Sequence, residues 1–304
     1  MFSLVRSGAV ALLLALLLAL AAACGDDGDD GGAPFITLID GKSRSVTLEA
    51  APQRIASLSP AATEILFAVG VGDQVAAVDK FSDYPPEAAT REQLDAYEPN
   101  VEAIAGAQPD LVFVVYDPGN LVDGLTNAGL TVFFLETPTS VEGVLDQIRL
   151  LGQATGHTQQ AEELVTTMEQ DIDDIEEKLA DLQQGPRLFH EVDNQLYTVA
   201  PASFVGSLYT ILKVQNIAAG SDQAYPQLSQ EAIIEADPEV IILGDAAGGE
   251  SADTVKARPG WGSISAVQSN RIYVIDPDIV SRPGPRLVDA LQTLAQMLYP
   301  ERFE

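Results

Sequence analysis

The chain has 304 residues, of which 46% are hydrophobic, so it is long enough to form two lobes with cores of their own. Aspartate and glutamate outnumber lysine and arginine by 45 to 16, which gives a formal net charge of −29. This charge would repel the phosphate backbone of nucleic acid, so we expect no nucleic-acid partner. One cysteine and two histidines supply too few soft or imidazole ligands for a transition-metal site, so no resident metal or cofactor is expected.

The first residues are typical of a secretory signal. A cationic start precedes an apolar run over residues 9–23 that is too short to span a bilayer comfortably. We expect residues 1–23 to be a signal peptide and residues 24–34 to be an acidic linker that begins with a lipidated Cys24, because Ala21–Cys24 resembles a bacterial lipobox. The expected location is extracytoplasmic, with a lipid anchor in the cell membrane. An ordinary signal peptide that ends near a cysteine is the alternative.

An alternation of strands and helices begins with a predicted hairpin and indicates an N-terminal α/β lobe over residues 35–157. Ile55–Leu58 is predicted to be a buried strand, with Ser59 as the N-cap and Pro60 as the first residue of the following helix. Ligands of open α/β sheets bind at the carboxyl ends of strands. Ser59 and Pro60 therefore mark a candidate ligand site, although helix capping alone also explains both residues.

A long amphipathic helix is predicted over Thr158–Gln184, where apolar residues recur at steps of three and four. At about 1.5 Å per residue its roughly 27 residues would reach about 40 Å, a length suited to connecting two lobes. Because Gly185 and Pro186 end the pattern, we assign residues 158–185 to a bridging helix and 186–304 to a C-terminal α/β lobe. The elements predicted in this lobe include strands at Arg187–Glu191, Tyr197–Val199, Val240–Leu243 and Arg271–Ile275 and a closing helix at Leu287–Leu298.

An internal repeat links the two halves. The segment that starts at Glu102, EAIAGAQPDLVF, matches the segment that starts at Glu231, EAIIEADPEVII. A supersecondary unit that recurs on both sides of a long helix predicts two similar lobes and places the two glutamates at equivalent positions. The preference of glutamate for the first turn of a helix explains either residue alone, whereas the recurrence favours a shared role.

The sequence contains no Gly-x-Ser-x-Gly elbow, phosphate loop or zinc-protease motif, and we expect no enzymatic activity. His157 and His190 are interpreted as ordinary capping or surface residues. Asp278 and Arg282 lie four residues apart, so they could pair with each other or direct polar groups at a ligand. Tyrosines offer an apolar face and a hydroxyl, which suits a large flat ligand, although half-buried packing explains each one alone. Those at predicted strand ends or in loops are Tyr84, Tyr97, Tyr116, Tyr197 and Tyr225.

Several motifs in one order resemble the substrate-binding lipoproteins of cobalamin and iron-chelate ABC importers. They are RIASLSPAATEILFAVG, the SDYPP turn, the two glutamate units and GWGSISAVQSNRIYVID, and the resemblance covers nearly all of Phe35–Glu304. It implies two α/β lobes joined by one rigid helix, with the ligand cleft between them. It also implies that Glu102 and Glu231 form salt bridges with the permease dimer, that the five tyrosines surround the ligand, and that Asp278 and Arg282 form a polar pair beside it.

The resulting hypothesis is a membrane-anchored receptor that captures a large chelate, with a corrinoid favoured, and delivers it to an ABC permease. A ferric siderophore, whose anionic oxygens Arg282 could meet, and haem, whose iron a tyrosine would ligate, are alternatives of the same class. A secreted hydrolase and a passive surface lipoprotein are alternatives outside that class. The missing nucleophile and base count against the hydrolase.

Overall fold

A β-hairpin and two parallel sheets make up the part of the chain that the computed structural model describes, residues 35–303. The predicted signal peptide, the acidic linker and Cys24 lie outside these residues. Within them, no helix combines the length and the hydropathy needed to cross a bilayer.

Strands β1 (Ile36–Ile39) and β2 (Ser45–Leu48) form the predicted antiparallel hairpin. The buried carboxylate of Asp40 holds the turn, because it accepts hydrogen bonds from the backbone and the side chain of Arg44 at 2.9 and 2.6 Å. Asp40 also accepts a hydrogen bond of 3.3 Å from the backbone N–H of Phe134. The hairpin is therefore fixed to the last strand of the first lobe.

Parallel strands that are largely buried form the sheet of the first lobe, as their apolar runs predict. They are β3 (Ile55–Leu58), β4 (Val75–Asp79), β5 (Glu92–Leu94), β6 (Leu111–Val114) and β7 (Val132–Phe134). Their order across the sheet is β5-β4-β3-β6-β7. The helices between and after them are α1 (Pro60–Ala68), α2 (Val101–Gly106), α3 (Leu121–Asn127) and α4 (Val141–Thr155).

Helix α5 (Thr158–Lys178) leads into the second lobe, but its 21 residues end before the predicted boundary at residue 185. The predicted helix is too long because the chain leaves the helix at Leu179. Lys213 of the second lobe donates hydrogen bonds from Nζ to the carbonyls of Leu179 and Leu182, at 2.6 and 3.3 Å. This lysine binds carbonyls at the end of α5, which have no backbone N–H of the same helix to accept from.

The second lobe repeats the strand order of the first. Its parallel strands are β8 (Arg187–Glu191), β9 (Gln215–Asn216), β10 (Val240–Leu243) and β11 (Ile272–Val274), in the order β9-β8-β10-β11. This order matches β4-β3-β6-β7 of the first sheet, which confirms the two similar α/β lobes. The helices are α6 (Phe204–Ile211), α7 (Gln230–Ala236), α8 (Ala252–Ala257), α9 (Ser265–Gln268), α10 (Pro277–Val280) and α11 (Leu287–Leu298).

Two local predictions for the second lobe are wrong. Tyr197–Val199 is not a strand, since its ladder is limited to an isolated bridge between Tyr197 and Gln227. The segment paired with it contains Pro226 next to Gln227, and proline has no N–H with which to extend the ladder. His190 is buried rather than exposed, because β8 lies inside the sheet, and its Nδ1 lies 2.7 Å from the hydroxyl of Tyr209.

One hydrophobic core extends through both lobes. Ile148 of α4, Val165 of α5 and Leu291 of α11 belong to it, and each is completely buried. Helix α5 packs against α4 of the first lobe and α11 of the second lobe. The bridging helix is therefore part of the core and not an exposed connection.

Candidate ligand-binding site

A cleft of about 860 Å³ lies at the carboxyl ends of the first-lobe strands, and residues that follow β11 of the second lobe close one side of it. Parallel sheets bind ligands at this edge, and the volume is in the upper part of the range for cofactor sites. The residues that line it are Leu58, Pro60, Asp79, Lys80, Phe81, Asp83, Ala96, Tyr97, Glu98, Val115, Tyr116, Thr137, Asp278 and Arg282.

Three neighbouring rings, Phe81, Tyr97 and Tyr116, form what we call the aromatic wall of the cleft. The ring centroids of Phe81 and Tyr97 are 6.0 Å apart in an edge-to-face arrangement, and those of Tyr97 and Tyr116 are 6.1 Å apart. The three residues are 50%, 66% and 55% exposed. Grouped, exposed aromatic side chains of this kind mark a binding surface.

Buried Asp79 holds two loops of the aromatic wall in place. Its carboxylate accepts hydrogen bonds from the backbone N–H of Phe81 at 2.9 Å and from that of Ala96 at 3.1 Å. Asp95 similarly accepts a hydrogen bond of 2.9 Å from the N–H of Tyr97. The 2.5 Å hydrogen bond from Lys80 is the main reason that the pKa of Asp95 is lowered to about 2. The loops after β4 and β5 are thus joined by carboxylates.

The structure separates the roles of Ser59 and Pro60. Pro60 lines the cleft, whereas Ser59 is 4% exposed and its Oγ accepts a hydrogen bond of 3.3 Å from the N–H of Ala62. The carbonyl of Ser59 accepts a hydrogen bond of 2.9 Å from Thr63, whose hydroxyl also lies 3.1 Å from that of Ser82. Ser59 therefore caps α1 and lines a smaller adjoining cavity, and Thr63 connects its carbonyl to Ser82, the residue after Phe81.

Arg282 is the cation that the second lobe contributes to the cleft. Its Nη1 lies 2.7 Å from Asp83 and 3.3 Å from Glu64, and its Nη2 lies 2.8 Å from Asp278 and 3.2 Å from the carbonyl of Phe81. Burial by itself would lower the pKa of Arg282, but the surrounding carboxylates raise it above its usual value. Asp278 and Arg282 therefore pair with each other, and both also line the cleft.

Glu64 of α1 connects the two lobes through a buried ion pair. Its side chain is 2% exposed and accepts hydrogen bonds from Arg286 at 2.9 and 2.6 Å and from Arg282 at 3.3 Å. The guanidinium carbon of Arg286 lies 4.2 Å from the centroid of the Tyr84 ring, in a cation–π arrangement. Tyr84 therefore contacts the interlobe ion pair and is not among the residues that line the cleft.

The other two predicted tyrosines, Tyr197 and Tyr225, lie on adjoining segments of the second lobe. They are 36% and 48% exposed, and neither belongs to the lining of this cleft. The structure thus brings five predicted residues together in the cleft: Pro60, Tyr97, Tyr116, Asp278 and Arg282.

Sequence reasoning missed several residues of the site. Phe81 follows the end of β4 by two residues, a position that the rule for parallel sheets could have identified. Glu64 is the single charged residue of the PAATEILFA helix, which is a signal for a buried ion pair. Nothing local indicates its partner Arg286, because that contact depends on how the lobes pack.

The two repeated glutamates occupy equivalent places. Glu102 and Glu231 are both the second residue of a short helix, after the side-chain caps Asn100 and Ser229. Both are exposed, and neither forms a salt bridge within residues 35–303. Each lobe therefore presents one exposed carboxylate at the same point of its repeat.

Among residues 35–303, no group of three or more histidine, cysteine, aspartate or glutamate side chains is placed to hold a metal ion. The described cleft itself offers aromatic faces, carboxylates and two paired cations, Lys80 and Arg282.

Comparison with known proteins gives concordant matches. A family model described as periplasmic binding protein matches residues 55–279. The uncharacterised ABC transporter substrate-binding lipoprotein YvrC of Bacillus subtilis is 32% identical and covers 98% of this chain and 99% of its own. The vitamin B12-binding protein of Pectobacterium atrosepticum is 30% identical and covers 87% and 95%. The periplasmic haem-binding protein RhuT of Roseiflexus sp. RS-1, a solved structure, has a TM-score of 0.74, 25% identity and coverage of 82% and 99%.

Proposed function

We propose, for a chain that belongs to the periplasmic binding protein family, that the cleft between the lobes binds one large chelate and that a corrinoid is the favoured ligand. The protein is the substrate-binding component of an ABC importer and works outside the cytoplasm. The identity of the ligand is the part that we propose.

The aromatic wall is the observation that carries the proposal. Phe81, Tyr97 and Tyr116 expose half or more of their surface in one row, which is unfavourable in water unless a ligand covers it. A corrin ring is broad, apolar across its faces and edged with amides. Its faces would pack on the rings, and its amides would meet carboxylates at the rim such as Glu98.

Haem is the second candidate, and a specific observation favours it. The phenol groups of Tyr97 and Tyr116 are on exposed side chains in the cleft, and a tyrosinate ligates haem iron in some proteins. A corrinoid would use the faces of these rings, whereas haem would use an oxygen. Replacement of tyrosine by phenylalanine separates the two uses.

The first experiment is a calorimetric titration of the full chain in detergent with cyanocobalamin, haem and a ferric siderophore. We expect a micromolar or lower Kd for cyanocobalamin and roughly tenfold weaker binding of the others, a difference of about 1.4 kcal/mol. Micromolar binding of a siderophore with no binding of cobalamin would contradict the corrinoid assignment.

The second experiment compares Tyr116→Phe with Tyr116→Ala, and Tyr97→Phe with Tyr97→Ala. For a corrinoid, the phenylalanine variants keep the affinity and the alanine variants lose roughly tenfold, because a lost aromatic contact costs about 1 kcal/mol beyond the lost area. If either phenylalanine variant abolishes binding and the absorption band of iron-bound tyrosinate, haem is the ligand.

We also propose that Glu102 and Glu231 dock the two lobes on the permease dimer. Two separated, exposed carboxylates define an orientation on a basic surface and accelerate the encounter more than they add affinity. Their equal position in the two lobes supports a shared role.

The proposed membrane attachment is a lipid on Cys24, as the sequence before it indicates. In cells fed a labelled fatty acid, the wild-type protein should carry the label and Cys24→Ala should not. Label retained by Cys24→Ala would exclude this residue as the site.

A further inference from the structure

We infer that the cleft selects chelates that carry no net negative charge, so that neutral or cationic complexes bind and anionic ones are rejected. The inference rests on the proposed function, since it describes which chelates the same cleft accepts. It follows from the observation that both cations of the cleft are paired with carboxylates of the protein.

Arg282 has little hydrogen-bonding capacity left for an anion. A guanidinium has five N–H donors, four of them on Nη1 and Nη2. Nη1 contacts Asp83 and Glu64, and Nη2 contacts Asp278 and the carbonyl of Phe81, at 2.7 to 3.3 Å. Both of the nitrogens that usually grip a carboxylate or phosphate in bidentate fashion are therefore occupied by the protein itself.

Lys80, the other cation of the cleft lining, is also paired. Its Nζ lies 2.5 Å from Asp95 and 5.2 Å from the centroid of the Phe81 ring. The hydrogen bond to Asp95 raises the pKa of Lys80, as expected for an ammonium that has a carboxylate partner. An anion at Lys80 would have to compete with Asp95.

Carboxylates outnumber cations in the lining. The lining contains four acidic residues, Asp79, Asp83, Glu98 and Asp278, and two cationic residues, Lys80 and Arg282. The whole chain carries a formal net charge of −29, so the long-range field opposes an approaching anion as well. Desolvating an anion in such a cleft has no compensating partner.

A neutral ligand rich in N–H groups meets the opposite situation. Glu98 is exposed, and the side chain of Asp278 is 48% exposed, so both can accept hydrogen bonds from amides. Beside them the aromatic wall supplies apolar faces, which also attract cations. The cleft thus offers acceptors and ring faces in place of free cations.

The test uses a matched pair of probes that differ by one charge. Cyanocobalamin and its derivative with one peripheral propionamide hydrolysed to propionate share the same ring and differ by a single negative charge. For the full chain in detergent, we expect the amide form to bind at least roughly tenfold more tightly, with a gap that shrinks as salt is added. A cationic ferric trihydroxamate and an anionic ferric tricatecholate form a second pair with the same expected order.

Variants then test whether the carboxylates around Arg282 cause the selection. The double variant Asp83→Asn with Asp278→Asn removes two of the three charged partners of Arg282. The affinity for the propionate probe, relative to that for the amide probe, should then rise roughly tenfold over the wild-type ratio. Asp123→Asn serves as the control, because Asp123 is exposed on α3 and does not line the cleft. It removes one negative charge and should leave the preference unchanged.

The outcomes separate the two proposals. If none of these chelates binds, the proposed function fails. If chelates bind but the anionic member of each pair binds equally well or better, the charge selection is wrong while the function stands. An equal shift in Asp123→Asn would assign the preference to net charge alone and would overturn the role of the carboxylates beside Arg282.

Discussion

Arg286 of the second lobe binds both carboxylate oxygens of Glu64 in the first lobe, at 2.9 and 2.6 Å. The Glu64 side chain is 2% exposed and that of Arg286 is 13% exposed, so the pair is largely removed from water. The hydrogen bonds with Glu64 are the main reason that the pKa of Arg286 is raised. Because the two hydrogen bonds are parallel and each lobe supplies one partner, this buried pair fixes the orientation of the lobes relative to each other.

Removal of one partner should therefore be costly. We expect Glu64→Gln to lower the free energy of unfolding by about 3 kcal/mol, because it leaves two arginines without their buried carboxylate. Urea unfolding measures the loss. Glu162→Gln is the matched control, since the side chains of Glu162 and Arg149 are 52% and 30% exposed, and such pairs contribute at most about 1 kcal/mol. Equal losses in the two variants would contradict a special role for Glu64.

The docking proposal predicts a loss of transport without a loss of binding. We expect Glu102→Ala with Glu231→Ala to reduce uptake by roughly tenfold in vesicles that contain the permease, because the orienting carboxylates are gone. The ligand Kd should not change, since neither residue lines the cleft. Glu235→Ala removes an exposed carboxylate from the same helix as Glu231 and should transport normally. A double variant that binds ligand poorly would refute the docking role.

His190 should make the protein sensitive to mild acid. Burial lowers the pKa of His190 from 6.5 to about 4, so between these values the unfolded chain binds a proton that the folded chain does not. Its stabilising effect is complete above about pH 6.5 and is lost as the pH falls towards about 4. Between about pH 7 and pH 5 the expected loss of unfolding free energy is about 2 kcal/mol.

His190→Gln isolates this effect, because glutamine does not titrate and can still bond to Tyr209. The adjacent Glu191, whose pKa burial raises, titrates in both proteins and cancels in the comparison. Between about pH 7 and pH 5, the free energy of unfolding of the variant should fall by about 2 kcal/mol less than that of the wild-type protein. Parallel curves for the two proteins would show that His190 is not the source.

Lys213 should hold the end of the bridging helix. We expect Lys213→Met to cost about 2 kcal/mol, because carbonyls at the end of α5 lose a charged donor. Hydrogen exchange should become faster in residues 179–184 and remain unchanged in the first lobe. Lys256→Met is the control, since the ammonium of Lys256 bonds only to the side chain of Asn270 in the described structure. Unchanged exchange at residues 179–184 would contradict this role.

The fold was predictable where burial alone decides the structure. The strands Ile55–Leu58, Arg187–Glu191 and Val240–Leu243 were predicted with their observed limits. The mainly apolar segments IASL and VIIL are typical of strands in a parallel sheet, whereas RLFHE follows from the alternation of strands and helices after Gly185 and Pro186. The end of α5 was not predictable, because the apolar period continues through Leu182, whereas the chain leaves the helix at Leu179 and the carbonyl of Leu179 binds the distant Lys213.

Only the cleft residues that follow strands of the first lobe were predictable. Pro60, Tyr97 and Tyr116 follow strands closely, so the topology places them at one edge of the sheet. The use of Tyr84 as a cation–π partner of Arg286 could not be foreseen, because it depends on the packing of the second lobe against α1. Interlobe distances are a tertiary property that no local pattern encodes.

The continuous core through α4, α5 and α11 has a consequence for how the protein melts. Because Ile148, Val165 and Leu291 belong to one buried cluster, neither lobe keeps its apolar surface covered when the other unfolds. Both lobes should therefore lose structure in a single cooperative transition. A ligand held in the cleft would then raise one shared melting temperature, so a signal from either lobe reports occupancy of the whole receptor.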